Sequence, residues 1–177
     1  MKTKILILDK LVSIPLSVLL PVLTFAIPFF ISGPQWLTGT VVNTLLFLVV
    51  SQKLEQKNWL TVAILPSLGA VSHGLLFGKF TPFLLYFLPF IWIGNLLLVF
   101  SFSKFIKFLP PTISIIFSSL IKSFWLYFFA TLFFQLKLVP SIFLASMGIF
   151  QFVTAVFGGL IASKLVNNNK LSLRTRA

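Results

Sequence analysis

The sequence predicts an all-α integral membrane protein, a compact bundle of six transmembrane helices, and three observations support this prediction. Of the 177 residues, 58% are hydrophobic and 9% are charged, whereas a soluble domain carries about 25% charged residues. Long apolar runs alternate with short polar connectors. The 14 Lys and Arg residues, against two acids, are concentrated in those connectors and near the termini. Together these features exclude a soluble globular domain and a disordered chain.

Six apolar runs account for the chain as a single transmembrane domain over residues 1–177. The first run contains three prolines, which membrane helices tolerate where neighbouring helices satisfy the freed carbonyls. A signal peptide is a weaker alternative, because this run is long and no clear small-x-small cleavage site follows it. The second run is short enough to be tilted or partly re-entrant. The approximate spans are residues 11–31, 36–50, 59–76, 83–102, 112–134 and 141–166.

The positive charges predict the orientation of these spans. With six spans, Lys79 and Lys137 fall on one side of the membrane and Lys122 falls inside the fifth span. The other eleven cations share the side of both termini, which the positive-inside rule predicts to be cytoplasmic. Because topology explains the charge, no nucleic acid partner is expected. The eleven are Lys2, Lys4, Lys10, Lys53, Lys57, Lys104, Lys107, Lys164, Lys170, Arg174 and Arg176.

The inventory of reactive side chains excludes several function classes. There is no cysteine, so a disulfide framework, a thiolate nucleophile and a Cys-ligated metal are excluded. One His and two acids leave too few groups for acid–base catalysis or a metal site. We therefore predict no catalytic residues, no metal and no cofactor, and we do not expect an enzyme. No phosphate-binding Gly-rich loop is present, so any ATP coupling must come from partner subunits.

Lys122 is the exceptional charge, because it lies near the centre of the fifth run. A lysine at that depth costs about 2.5–3.5 kcal/mol on insertion scales. The acids Asp9 and Glu55 both fall in juxtamembrane stretches and are not expected to pair with it. Two interpretations stay open: Lys122 holds neighbouring helices together, or it anchors an anionic ligand group in a central cavity.

Further polar residues predict a cavity that opens outward. At about 1.5 Å per residue, Asn95 and Lys122 differ in depth by roughly 6 Å, within reach of a flexible lysine. Asn43 and Gln151 fall in the outer half of the membrane by the same count, and His73 lies near the outer end of the third run. The alternative for each Asn or Gln is an interhelical hydrogen bond, and His73 is more simply an interfacial residue than a metal ligand. Trp92 and Trp125 are candidates for stacking on a ligand ring, as is Trp36, which equally fits a membrane-interface anchor.

Small residues in the sixth run predict close helix packing. Gly158 and Gly159 belong to a stripe with Ala155, Ala162 and Ser163 at four-residue spacing, which lets helix backbones approach closely. We interpret this stripe as core packing, with a partner interface as the alternative.

The length, six predicted spans, cytoplasmic termini and missing catalytic groups resemble the substrate-binding S components of energy-coupling factor (ECF) transporters. The segment from Pro89 to Leu97, with Gly94-Asn95 inside it, is similar to the glycine–asparagine helix of some small S-component-like proteins. The resemblance implies that a vitamin or another micronutrient is captured from outside. It also implies partners: a transmembrane coupling protein and two cytoplasmic ATPases. Many S components dock to the coupling protein through Ala-x-x-x-Ala on the first helix, where Ser13 and Ser17 are the nearest substitute in this chain.

The sequence therefore leaves two function classes open. The leading hypothesis is a substrate-binding subunit in which Lys122 contacts an anionic group and Asn95, Gln151 and Asn43 supply hydrogen bonds. The second is a structural or assembly subunit of a membrane complex, in which these polar residues specify helix packing and bind no ligand. A proton-coupled transporter is disfavoured, since no acid lies within a predicted span.

Overall fold

The computed structural model describes residues 15–30, 34–73 and 82–174, without the side chains of residue 73 and residues 168–174. Within these ranges the protein consists of helices and turns with no strand, which confirms the prediction of an all-helical protein. Ser13, Asp9 and the side chain of His73 lie outside the described part of the chain. The helices are α1 (Leu16–Phe30), α2 (Gln35–Ser51), α3 (Gln56–His73), α4 (Leu84–Phe105), α5 (Pro111–Gln135), α6 (Ile142–Met147) and α7 (Ile149–Arg174).

Three helical stretches are long and apolar enough to cross a membrane, which indicates an integral membrane protein. They are α4, α5, and residues Ile142–Asn167 of α6 and α7 taken together. Helices α1 and α2 are also apolar but shorter, with 15 and 17 residues. Helix α3 has 18 residues but is less apolar as a whole, because it begins with Gln56, Lys57 and Asn58.

The helices pack around two apolar clusters with a polar layer between them. Helix α2 makes its most extensive contacts with α7, α1 with α3, and α4 with α5. One cluster, around Phe47 and Phe102, lies towards the connectors 52–55 and 106–110, and the second, around Phe87, lies towards the opposite helix ends. Asn43 and Lys122 lie between the clusters, near the middles of their helices, and both are buried. The polar layer therefore sits at mid-depth of the bundle.

Helices α2 and α5 end in the same type of turn, at opposite ends of the bundle. Lys53 and Lys137 adopt φ angles of 53° and 58° just beyond the two helices. After α2, the Leu54 N–H donates to the Val49 carbonyl at 3.1 Å, the bond that defines a Schellman motif. Glycine is the usual residue at this left-handed position. Both connectors therefore turn back sharply at a lysine.

The small-residue stripe of the sixth run packs inside the bundle. Ala155 and Ala162 are buried. A Cβ atom added at Gly158 would lie 2.7 Å from the Thr44 backbone nitrogen and 2.8 Å from the Thr40 carbonyl oxygen. Backbone atoms cannot move aside as the end of a side chain can. Gly158 is therefore what allows α7 to approach α2 closely, as the core-packing interpretation expects.

We expect Gly158→Ala to destabilise the protein by about 1–2 kcal/mol. Overpacking costs typically 1–3 kcal/mol, which outweighs the gain of up to about 1 kcal/mol in helix propensity. The measurement is thermal unfolding in detergent, followed by circular dichroism. Gly94→Ala is the matched control, because a Cβ there meets side-chain atoms of Leu126 and Trp125 at 3.3–3.5 Å and should be close to neutral. Equal stability of the two variants would contradict the close approach of α2 and α7.

Candidate functional site

A cavity of about 80 Å³ reaches the polar layer and is bordered by residues of α1 to α7. The sequence-predicted residues Lys122, Asn95, Asn43 and Gln151 all line it. Its other wall residues come mainly from the halves of the helices that lie towards the end of α1, the start of α2 and the connector 136–141. The structure therefore brings together four of the side chains that the sequence predicts for the site.

Lys122 is almost completely buried, with 2% of its surface exposed. Its Nζ donates a hydrogen bond of 2.7 Å to Asn43 Oδ1. Asn43 Nδ2 donates in turn to Thr154 Oγ1 at 3.2 Å, and this hydroxyl donates to the Phe150 carbonyl at 2.7 Å. A polar chain therefore connects α5, α2 and α7. The sequence predicts that Asn95 is within reach of Lys122, but in the structure the lysine Nζ bonds to Asn43 instead.

The ammonium of Lys122 retains hydrogen-bonding capacity towards the cavity. A lysine ammonium has three N–H donors, and within the described residues it makes one hydrogen bond, to a neutral acceptor. None of the described residues that line the cavity is acidic. Glu55 lies in the α2–α3 connector with its carboxylate 2.6 Å from Lys57 Nζ. Lys122 Nζ is thus a basic group that no described carboxylate pairs with, which favours an anionic or oxygen-rich guest.

Asn95 presents an unused acceptor at the same cavity. Its Nδ2 donates to the Ala63 carbonyl of α3 at 2.8 Å. Its Oδ1 is buried and has no hydrogen-bond donor within the described residues. A buried polar atom without a partner costs about 1–3 kcal/mol, so a donor from a bound molecule would be favourable here.

Thr38 supplies a second unpartnered oxygen, which the sequence analysis missed. On the same helix, the hydroxyls of Thr40 and Thr44 donate to the carbonyl four residues earlier, at 2.7 and 2.9 Å. Thr38 Oγ1 is buried, lines the cavity and makes no such bond in the described structure. A signal was available in the sequence: Thr38 lies three residues after Gln35, which puts these two polar side chains on one face of α2.

A break in the last helical stretch shapes one wall of the cavity. The sequence predicts one continuous helix over residues 141–166, but α6 ends at Met147 and α7 begins at Ile149. Gly148 joins them, and its carbonyl accepts a hydrogen bond of 2.7 Å from Ser123 Oγ. Gln35 Nε2 donates to the nearby Ser146 carbonyl at 3.1 Å. Non-helical backbone at membrane depth is tolerated where it is buried in protein or lines a cavity, and Met147 lines this one.

The predicted aromatic residues lie elsewhere. The Trp92 indole N–H donates to Ser67 Oγ at 2.6 Å, and that of Trp125 donates to the Phe90 carbonyl at 3.0 Å. Neither ring is part of the cavity wall; Trp125 instead borders an apolar groove between α4 and α5. Trp36 is exposed, as expected of an interface anchor. Ser17, the described member of the predicted docking pair, is half-buried in the first turn of α1.

Comparison with known proteins assigns no family to this arrangement. No family model, no curated protein and no solved structure matches the chain. We therefore infer function from the cavity and from the charges of the chain itself.

Proposed function

We propose that this protein is a membrane-embedded substrate-binding subunit for the uptake of a small micronutrient. The observation that carries the proposal is a cavity whose wall holds the partly unused amine of Lys122 and two oxygens, those of Asn95 and Thr38, that have no partner among the described residues. A ligand with an anionic group and at least one hydrogen-bond donor would complement all three. Asn43 and Gln151, which also line the cavity, would add hydrogen bonds.

The proposed topology has six spans with both termini in the cytoplasm. Its support is the segregation of eleven cations to one side and two to the other, together with three apolar helices of spanning length and two shorter ones. In this orientation the cavity lies nearer to the outer surface, because its wall residues belong to the helix halves opposite Lys53 and Lys104. A ligand would then enter from outside the cell.

The size of the cavity restricts the ligand. A single water molecule needs about 10–15 Å³ of such space, so 80 Å³ holds a few water molecules or a ligand of few heavy atoms. Sites for drug-sized molecules measure about 300–1,000 Å³. A vitamin, the class that the resemblance to S components implies, would require the helices around the cavity to move apart.

Energy coupling would come from partner subunits, as in the ECF transporters that the sequence resembles. The chain has no phosphate-binding loop of its own, and Ser13 and Ser17 are the proposed docking positions on the first helix. Cross-linking in native membranes tests this part of the proposal: a transmembrane protein and cytoplasmic ATPases should be recovered with the chain. Recovery of the chain with neither would contradict the coupling.

The binding proposal is tested by identifying small molecules that co-purify with the protein and comparing two threonine variants. We expect mass spectrometry to detect one polar, anionic metabolite with the wild type. Thr38→Val should reduce its retention by about tenfold, the equivalent of one hydrogen bond of about 1.4 kcal/mol. The same variant should not lower the stability of the ligand-free protein, since it removes a buried hydroxyl that has no partner.

Thr44→Val is the matched control on the same helix. The Thr44 hydroxyl bonds to its own helix and does not line the cavity, so this variant should retain the metabolite. A wild-type protein that carries no small molecule, and that gains no thermal stability from a dialysable cell extract, would contradict the proposal.

A structural or assembly subunit is the second candidate, and one observation favours it. The hydrogen bonds from Lys122 through Asn43 to Thr154 join three helices, as a purely architectural role requires. Under this alternative, Thr38→Val and Thr44→Val would differ only in stability, and neither would change the retention of any small molecule.

A further inference from the structure

A second concave site lies at the other end of the bundle, around the connectors α2–α3 and α4–α5. It is a groove of about 670 Å³ bordered by the ends of α2 and α4, the starts of α3 and α5, and the later part of α7. Its wall includes Phe47, Phe102 and Ala162, which belong to the buried apolar core. The groove therefore combines an apolar floor with a position at the helix ends.

Three lysines line this groove: Lys53, Lys104 and Lys107. Lys104 Nζ lies 5.3 Å from the centre of the Phe100 ring, and none of the three forms an ion pair within the described structure. The one described acid on this side, Glu55, is paired with Lys57. The groove is consequently cationic, with no described carboxylate to balance it.

The chain's own termini are poor candidates to fill the groove. Residues 1–14 carry Lys2, Lys4 and Lys10 against Asp9, and residues 168–177 carry Lys170, Arg174 and Arg176 with no acid. Both segments have a net positive charge, so three lysines would repel them. The occupant that complements the groove is an anion from outside the chain.

We propose that this groove binds the phosphate of an anionic phospholipid. Lipid phosphates lie at the ends of spanning helices, where Lys53, Lys104 and Lys107 are placed, and basic pockets between transmembrane helices bind such head groups. The glycerol and first acyl carbons would cover the exposed apolar side chains of Phe100 and Ile106 in the groove wall, which a free phosphate would leave bare. Trp59, which also lines the groove, is a residue type enriched at the membrane interface. This inference does not depend on the proposed uptake function.

The test is a titration of purified protein with phosphatidylglycerol or phosphatidylcholine, with bound lipid counted by native mass spectrometry. We expect the wild type to prefer phosphatidylglycerol. Lys104→Gln/Lys107→Gln should weaken its binding by about 30-fold, from about fivefold for each basic side chain near anionic lipid. Lys137→Gln/Lys164→Gln removes the same charge from exposed positions that do not line the groove, and should change binding by less than about twofold.

Two further measurements keep the proposal open to refutation. The variant Lys104→Arg/Lys107→Arg retains both charges and should bind phosphatidylglycerol as the wild type does. It tests the role of charge even if the Gln variant fails to fold. Inorganic phosphate should not displace the lipid. Equal binding of the two lipids, equal losses in both double-Gln variants, or displacement by inorganic phosphate would each overturn the proposal, and the first would leave an acidic protein segment as the occupant to be sought.

Discussion

Lys122→Met is expected to weaken binding of the co-purifying metabolite by about 100-fold or more without lowering the stability of the ligand-free protein. Hydrogen bonds to charged groups contribute about 1.5–3 kcal/mol each, and the Lys122 ammonium has two N–H donors free for a ligand within the described structure. The methionine side chain supplies neither these two donors nor a positive charge for an anionic group. Ligand-dependent thermal stabilisation should therefore disappear.

The stability of the ligand-free Lys122→Met variant is expected to be retained for a separate physical reason. Replacing the buried lysine removes an insertion cost of about 2.5–3.5 kcal/mol. Against this, Asn43 Oδ1 loses its donor, which costs about 1–3 kcal/mol. The sum is close to zero or favourable to the variant.

Lys137→Met is the control, because Lys137 is exposed in the α5–α6 connector and does not line the cavity. It should leave both binding and stability unchanged. Normal binding of the metabolite by Lys122→Met would exclude Lys122 as the anion anchor and favour the structural role.

Asn43→Leu is expected to have the largest effect on stability, about 3 kcal/mol of destabilisation or roughly 6–12 °C in the unfolding midpoint. This substitution removes the one acceptor that the described structure provides for the Lys122 ammonium. A buried charge is then left without a partner, which costs far more than the hydrogen bond itself contributes. Thermal unfolding in detergent measures the change.

The double variant Asn43→Leu/Lys122→Met distinguishes this cause from poor packing. With both polar groups gone, stability should return to within about 1 kcal/mol of the wild type, because neither an orphaned charge nor an orphaned acceptor remains. Asn95→Leu is the matched control for the Asn→Leu change: it removes one hydrogen bond, to Ala63, and one oxygen that had no partner. A double variant as unstable as Asn43→Leu alone would show that the two side chains are not coupled.

Counting residues along the apolar runs was enough to predict the layer that contains the cavity. The 1.5 Å rise per residue places Asn95 and Lys122 at similar depth, and the structure puts both in one wall together with Asn43 and Gln151. Similar heights along the bundle can be predicted in this way because the rise per residue of an α-helix is constant.

The partners of these residues could not be read from the sequence. Lipid is as apolar as a helix interface, so the apolar pattern does not show which face of a membrane helix is buried. For this reason the sequence leaves Trp92 and Trp125 as candidate ligand contacts. In the structure their indole N–H groups donate to Ser67 and Phe90 instead. The free hydroxyl of Thr38 is likewise visible only once its rotamer and neighbours are known.

By itself, the sequence determined that the protein is helical, that its composition suits a membrane, and that one lysine lies deep inside it. These properties depend on the order of apolar and polar residues along one chain. The tertiary structure alone decided that Lys122 bonds to Asn43, that α7 approaches α2 at Gly158, that the last helical stretch breaks at Gly148, and that three lysines share one groove. Each of these depends on the rotation and contact of helices far apart in the sequence, which local pattern does not encode.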